Sequence, residues 1–156
     1  MCIESIYNLS IKKVEICSFD EIRFHFGSMV NIFNRRTNKI IYRGEYLLHI
    51  VDAAWRLRDE NNIIFSSNCF EEEKISNFCH SLEGRRIISY NDTTENDFCI
   101  TLDNATIFET FFYNLDIDEP VKWLIDRPDG STYYHMGNAG VAGVTATKFE
   151  EKKQAQ

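Results

Sequence analysis

Two prolines and seven glycines in 156 residues leave the chain few obligatory breaks. Low-complexity linkers, rich in those residues, are excluded by the same scarcity. Its five cysteines (Cys2, Cys17, Cys69, Cys79, Cys99) are odd in number and contain no CxxC pair. That spacing makes a poor disulfide framework and no zinc ribbon. Cys17, Cys79 and Cys99 sit in apolar-patterned segments and are expected to pack as small hydrophobes. No apolar run approaches the roughly 18 residues of a membrane span. The start "MCIESIYNLS" lacks a charged region followed by an apolar one. The expectation is a soluble, cytoplasmic protein with no membrane partner.

What is present is apolar and aromatic. Hydrophobic residues make up 44% of the chain and aromatics 13%, enough to build a core and too much for disorder. Alanine is scarce while β-branched and aromatic side chains abound, which favours strands. Alternation predicts strands over 11–17, 21–27 and 38–44, then one long, bulged strand over 45–58 leading to a turn at Glu60-Asn61-Asn62. In residues 68–84 the period changes: Ile75, Phe78, Cys79 and Leu82 fall on one helical face. Asn68 is the expected N-cap, Glu71–Glu73 suit the positive end of the dipole, and Gly84 supplies the stop. Strands are predicted again over 85–91, 97–104, 106–113, 121–126 and 131–136, and residues 138–156 read as a flexible tail.

The two halves resemble each other. "LSIKKVEI" (9–16) aligns with "LEGRRIIS" (82–89), "EIRFHFGS" (21–28) with "DFCITLDN" (97–104), and "WRLRDENN" (55–62) with "WLIDRPDG" (123–130), in the same order. The fold class expected is mainly β (α+β): a duplicated antiparallel meander sharing one core. Its parts are a first repeat over 1–67, a connecting helix over 68–84 and a second repeat over 85–137. Trp55 and Trp123 hold equivalent places in that repeat, which points to the shared core ahead of an interface.

The motifs "AWRL" (54–57), "LEGRR" (82–86), "DFCITLDN" (97–104) and "WLIDRPDG" (123–130) resemble a family of small, largely uncharacterised bacterial two-repeat β-rich proteins. Ala105 departs from that pattern, which has a glycine after the asparagine, and implies a wider turn there. The family supplies no catalytic residues. Small acidic proteins of this kind are similar to immunity proteins encoded beside bacterial toxins.

Candidate chemistry is sparse. His25, His49, His80 and His135 are scattered rather than paired for a metal, and His25 alternates with Phe24 and Phe26. There is no GxSxG elbow, HExxH motif or glycine-rich phosphate loop. Asp97, Asp103 and Glu109 could pair as carboxylates across neighbouring strands, although solvated turn and edge positions are the commoner fate of such residues. No enzyme activity, cofactor or metal is expected.

Charge is the sharpest feature. Residues 1–65 hold nine Lys/Arg and eight Asp/Glu, a net of +1. Residues 92–129 hold ten Asp/Glu against Lys122 and Arg127, a net of −8. Such a segment repels nucleic acid and attracts a basic protein. The expected partner-binding residues are Asp97, Asp103, Asp116, Asp118, Glu119 and Asp126, capping a basic, nuclease-type toxin. Acidity that serves only solubility is the plainer alternative. A subunit of a larger assembly using a strand edge or aromatic face, and a small-molecule enzyme using carboxylates, are the other readings.

Overall fold

The computed structural model describes residues 3–34, 37–92, 98–112, 121–136 and 140–145. A short 3-10 turn (Ile3–Ile6) leads into β1 (Ile11–Ser18), β2 (Glu21–Asn34), β3 (Lys39–Ile50), β4 (Ala53–Arg58) and β5 (Ile63–Ser66). Helix α1 (Glu72–Leu82) follows, then β6 (Ile87–Asp92), β7 (Phe98–Leu102), β8 (Ile107–Phe112), β9 (Val121–Asp126), β10 (Ser131–Met136) and β11 (Gly140–Thr145). The strands form two antiparallel sheets, in the orders β1-β2-β3-β9-β10-β11 and β5-β4-β8-β7-β6. The mainly β class is therefore as expected.

One core lies between the sheets. Alternation along β2 turns Ile22, Phe24 and Phe26 inward, and along β4 it turns Ala53, Trp55 and Leu57 inward. Rings from opposite sheets touch: Phe24 meets Phe108, and Tyr90 meets Trp123, both edge to face. Both tryptophans are fully buried. On the helix, Phe78 and Leu82 are buried and Ile75 and Cys79 half-buried, the stripe the sequence marked. Phe78 stacks on Phe65 at 4.3 Å and on Trp55 at 5.2 Å.

Replacing β1–β5 by β6–β10 converts the first five strands of one sheet order into the other. Trp55 lies on β4 opposite Thr110 of β8, and Trp123 lies on β9 opposite Ile50 of β3, which correspond under that exchange. The aligned segments at 9–16 and 82–89 also meet: Ile11 N–H donates to the Arg85 carbonyl, Gly84 N–H donates to the Ile11 carbonyl, and Ser10 bridges Arg86.

Three local expectations change, and the wider turn expected at Ala105 is present. The stretch 45–58 is two strands in different sheets, because Asp52 adopts a φ of 53° and turns the chain from β3 into β4. Helix α1 starts after Glu71, which has extended backbone and makes no side-chain cap; the Asn68 amide oxygen instead accepts from the Ser66 hydroxyl. Gly140–Thr145, placed in the tail by its small residues, pairs with β10 along its whole length, an edge where small and β-branched residues suffice. At 103–105 the turn closes with Ala105 N–H on the Leu102 carbonyl and Leu102 N–H on the Thr106 carbonyl, and Ala105 takes a φ of 65°. A three-residue loop results, wider than a two-residue Asn-Gly turn, and Ala105 occupies the left-handed position that glycine favours.

Between Phe26 and Met29, β2 carries two residues opposite Glu45 alone, a bulge in which Gly27 has φ +74°. The Glu45 carboxylate accepts the Ser28 N–H at 3.0 Å. Beyond this bulge the β2–β3 ribbon leaves the sheet. β1 pairs with β2 only as far as Phe26, and β9 pairs with β3 only from Leu47.

Candidate partner-binding surface

Four of the six acids marked by the sequence, Asp97, Asp116, Asp118 and Glu119, lie outside the described residues. Asp103 opens the β7–β8 turn; it is exposed, and its carboxylate is 3.9 Å from Arg85. Asp126 ends β9 in the other sheet. It is half-buried, accepts the Thr132 hydroxyl at 2.6 Å and lies in the field of the buried Arg43 guanidinium. These two carboxylates therefore sit on different sheets, each beside a basic side chain.

Glu109 has a different role from the carboxylate pair considered above. On β8 it faces Arg56 across the ladder and accepts from Arg56 Nε at 2.6 Å and Arg58 Nε at 2.8 Å. Burial raises its pKa, but the two guanidinium hydrogen bonds outweigh that and hold it below the usual glutamate value. Arg56 also stacks over Phe111 at 5.0 Å. A carboxylate clamped by two arginines is a cross-strand tie between β4 and β8.

His25, which is buried, and His49, which is half-buried, are engaged as well. His25 Nε2 lies 3.0 Å from Glu15, and its Nδ1 accepts the Gly44 N–H, which fixes the proton on Nε2 in the neutral ring. His49 Nε2 lies 2.7 Å from Glu21, which also pairs with Arg23. Burial pushes both histidine pKa values down, and the neighbouring glutamates only partly offset it. Arg43 is buried and donates to the carbonyls of Gly44, Glu45 and Arg127.

Among the described residues no group of three or more His, Cys, Asp or Glu could hold a metal ion. Cys17, expected to pack inward, is exposed on β1, whereas Cys79 and Cys99 are half-buried. Desolvation is the largest influence on the Cys17 and Cys79 thiols and raises both, which disfavours the reactive thiolate. No described helix is long and apolar enough to cross a membrane.

Apolar surface was harder to foresee. A cleft of about 170 Å³ opens between the β1–β2 turn, β5 and the start of α1, lined by Phe19, Trp55, Phe65, Phe70 and Ile75. It is smaller than the roughly 300–1,000 Å³ of small-molecule pockets and suits one large side chain. Phe19 and Phe70 stand exposed at its mouth. Beside it run Glu71, Glu72 and Glu73, all exposed, with Lys74 tied to Glu71 at 2.8 Å. The available signal was a phenylalanine inside each polar connection, "SFDE" and "NCFEEE". No protein-family model, curated protein or solved structure matches the chain.

Proposed function

We propose that the chain is a non-enzymatic acidic binding protein that masks a basic protein. The most concrete form is an immunity protein that neutralises a nuclease-type bacterial toxin. One observation carries this reading: residues 92–129 concentrate ten carboxylates against two basic residues, while residues 1–65 are almost balanced. Solubility alone calls for no such segregation, whereas steering a basic partner does. The family resemblance adds to it, and the Phe19–Phe70 cleft beside Glu71–Glu73 supports an apolar anchor within an acidic frame. The matching strand orders support descent of both halves from one five-strand unit.

The test is co-expression with basic nuclease-type proteins encoded beside this chain, followed by co-purification at low salt. A bound toxin, released by salt and blocked in its activity, is the expected result. Reversal of Asp116, Asp118 and Glu119 to lysine lowers that affinity by more than about tenfold, as for charge pairs at a steered interface. Binding that ignores the reversal sinks the capping model.

A further inference from the structure

The cleft behind Phe19 and Phe70 lies where the two sheets end, β1 being the outer strand of one and β5 the outer strand of the other. Trp55, Phe65 and Ile75 form its inner wall, and no charged side chain lines it. Its serine hydroxyls are already engaged: Ser18 donates to the Asp20 carboxylate at 2.6 Å, and Ser67 accepts the Trp55 backbone N–H at 3.1 Å. A charged group entering such a space loses its water without gaining a partner, whereas an apolar ring gains contact with aromatic walls. The space of about 170 Å³ opens outward between two phenylalanines that are 56% and 78% exposed, and it fits one aromatic side chain.

Charge around the mouth has one sign. Residues 59–73, which carry the β4–β5 turn, β5 and the connection to α1, hold Asp59, Glu60, Glu71, Glu72 and Glu73 and no lysine or arginine. Glu71 is tied to Lys74, but Glu60, Glu72 and Glu73 are exposed and have no ion-pair partner among the described residues. The four residues of β5 span only about 13 Å, so at low salt the turn and the helix start act on one ligand. The outer edge of β5 has no ladder partner among the described residues, and Ile63 and Ile64 on it are exposed. An extended chain can lie along such an edge. We propose that the cleft is the docking point for an extended basic segment of a protein partner, whose aromatic side chain fills the cleft while its lysines or arginines face Glu60, Glu72 and Glu73.

This inference rests on the reading of the chain as a binder of basic proteins, and it supplies that contact with an anchor. Dispersed carboxylates steer the encounter, and a buried ring sets the lifetime of the complex.

The probe is a short, fluorescently labelled peptide of alternating lysine and threonine with phenylalanine at its centre, titrated with the full chain and read by anisotropy. At low salt it binds with a Kd of about 10–500 µM, the range of a small contact. Serine in place of the central phenylalanine weakens binding at least about tenfold, the loss expected of one buried ring. That exchange leaves the protein itself untouched. Phe19→Ser with Phe70→Ser has a similar effect while the far-ultraviolet circular dichroism stays unchanged. Glu72→Gln with Glu73→Gln weakens binding severalfold and lowers its dependence on salt. No binding below about 1 mM, or binding indifferent to the central ring or to the phenylalanine pair, overturns the proposal. The two readings fail separately. A nuclease-type toxin captured equally by the wild type and the Phe19→Ser, Phe70→Ser variant sinks the cleft and leaves the masking function standing. Ring-dependent peptide binding by a chain that neutralises no toxin does the reverse.

Discussion

Phe24 on β2 and Phe108 on β8 meet edge to face with ring centroids 5.1 Å apart, and this contact ties the two sheets at the centre of the core. Phe108 also stacks on Trp55 at 5.7 Å, so it links the helix side of the core to the six-stranded sheet. Phe108→Ala is expected to cost about 3–5 kcal/mol, the usual range for a fully buried phenylalanine. Domains of this size have about 5–15 kcal/mol in total, so the variant is close to unfolding. Urea unfolding followed by tryptophan fluorescence measures it, since Trp55 and Trp123 are both buried. A loss below about 1 kcal/mol means that the rings repack and the sheets are held elsewhere.

Ala105 carries strain that glycine removes. Its φ of 65° places Cβ against its own carbonyl, at about 1–2 kcal/mol for an L residue. Glycine gives back part of that through its larger unfolded-state entropy. Ala105→Gly is therefore expected to stabilise by about 0.5–1 kcal/mol, read as a higher thermal midpoint. A lower midpoint would mean that the Ala105 methyl contributes packing beyond the turn.

Much of this architecture is legible in the sequence for a plain physical reason. Where one face of an element is buried, periodicity records it. Ile22, Phe24 and Phe26 on β2 and Ile75, Phe78, Cys79 and Leu82 on α1 are such cases. Periodicity does not record which sheet a strand joins. Residues 45–58 read as one long, strand-forming stretch, and the switch between sheets is carried by one backbone angle at Asp52. The candidate surface was less legible still. Phe19 and Phe70 come together only because the β1–β2 turn and the start of α1 meet in space.

Acid should destabilise the fold before its carboxylates titrate. Burial holds the His25 and His49 pKa values below their ordinary 6.5, with Glu15 and Glu21 partly opposing it. Lys13 and Arg23 beside His25, and Arg23 beside His49, push the same way as burial, while Asp126 opposes it at His49. Below pH 6.5 the unfolded chain thus binds more protons than the folded one, so stability is full above that pH and falls as the pH drops through the lowered folded values. His25→Gln keeps an amide near Glu15 and Gly44 but does not titrate, and should flatten the slope of stability against pH just below 6.5. Equal slopes for variant and wild type in that window would show that His25 gains no protons on unfolding.

The Glu109 clamp makes a prediction about stability that also separates structure from chemistry. Its side chain is only 17% exposed, against 36% for Arg56 and 31% for Arg58, so solvent screens the pair in part. Glu109→Ala leaves two guanidinium groups facing each other beside β8 and is expected to cost about 1–3 kcal/mol at neutral pH. The folded pKa of Glu109 is depressed, so its contribution is present above its ordinary 4.5 and lost as the pH falls through the folded value. Chemical denaturation of wild type and variant across that range should therefore converge in acid. A double-mutant cycle with Arg58→Met isolates the pair, because methionine keeps the apolar stem without the charge. A coupling near zero, with neutral-pH stability unchanged, would mean that the clamp holds nothing together. Glu109 would then return to consideration as a carboxylate available for chemistry.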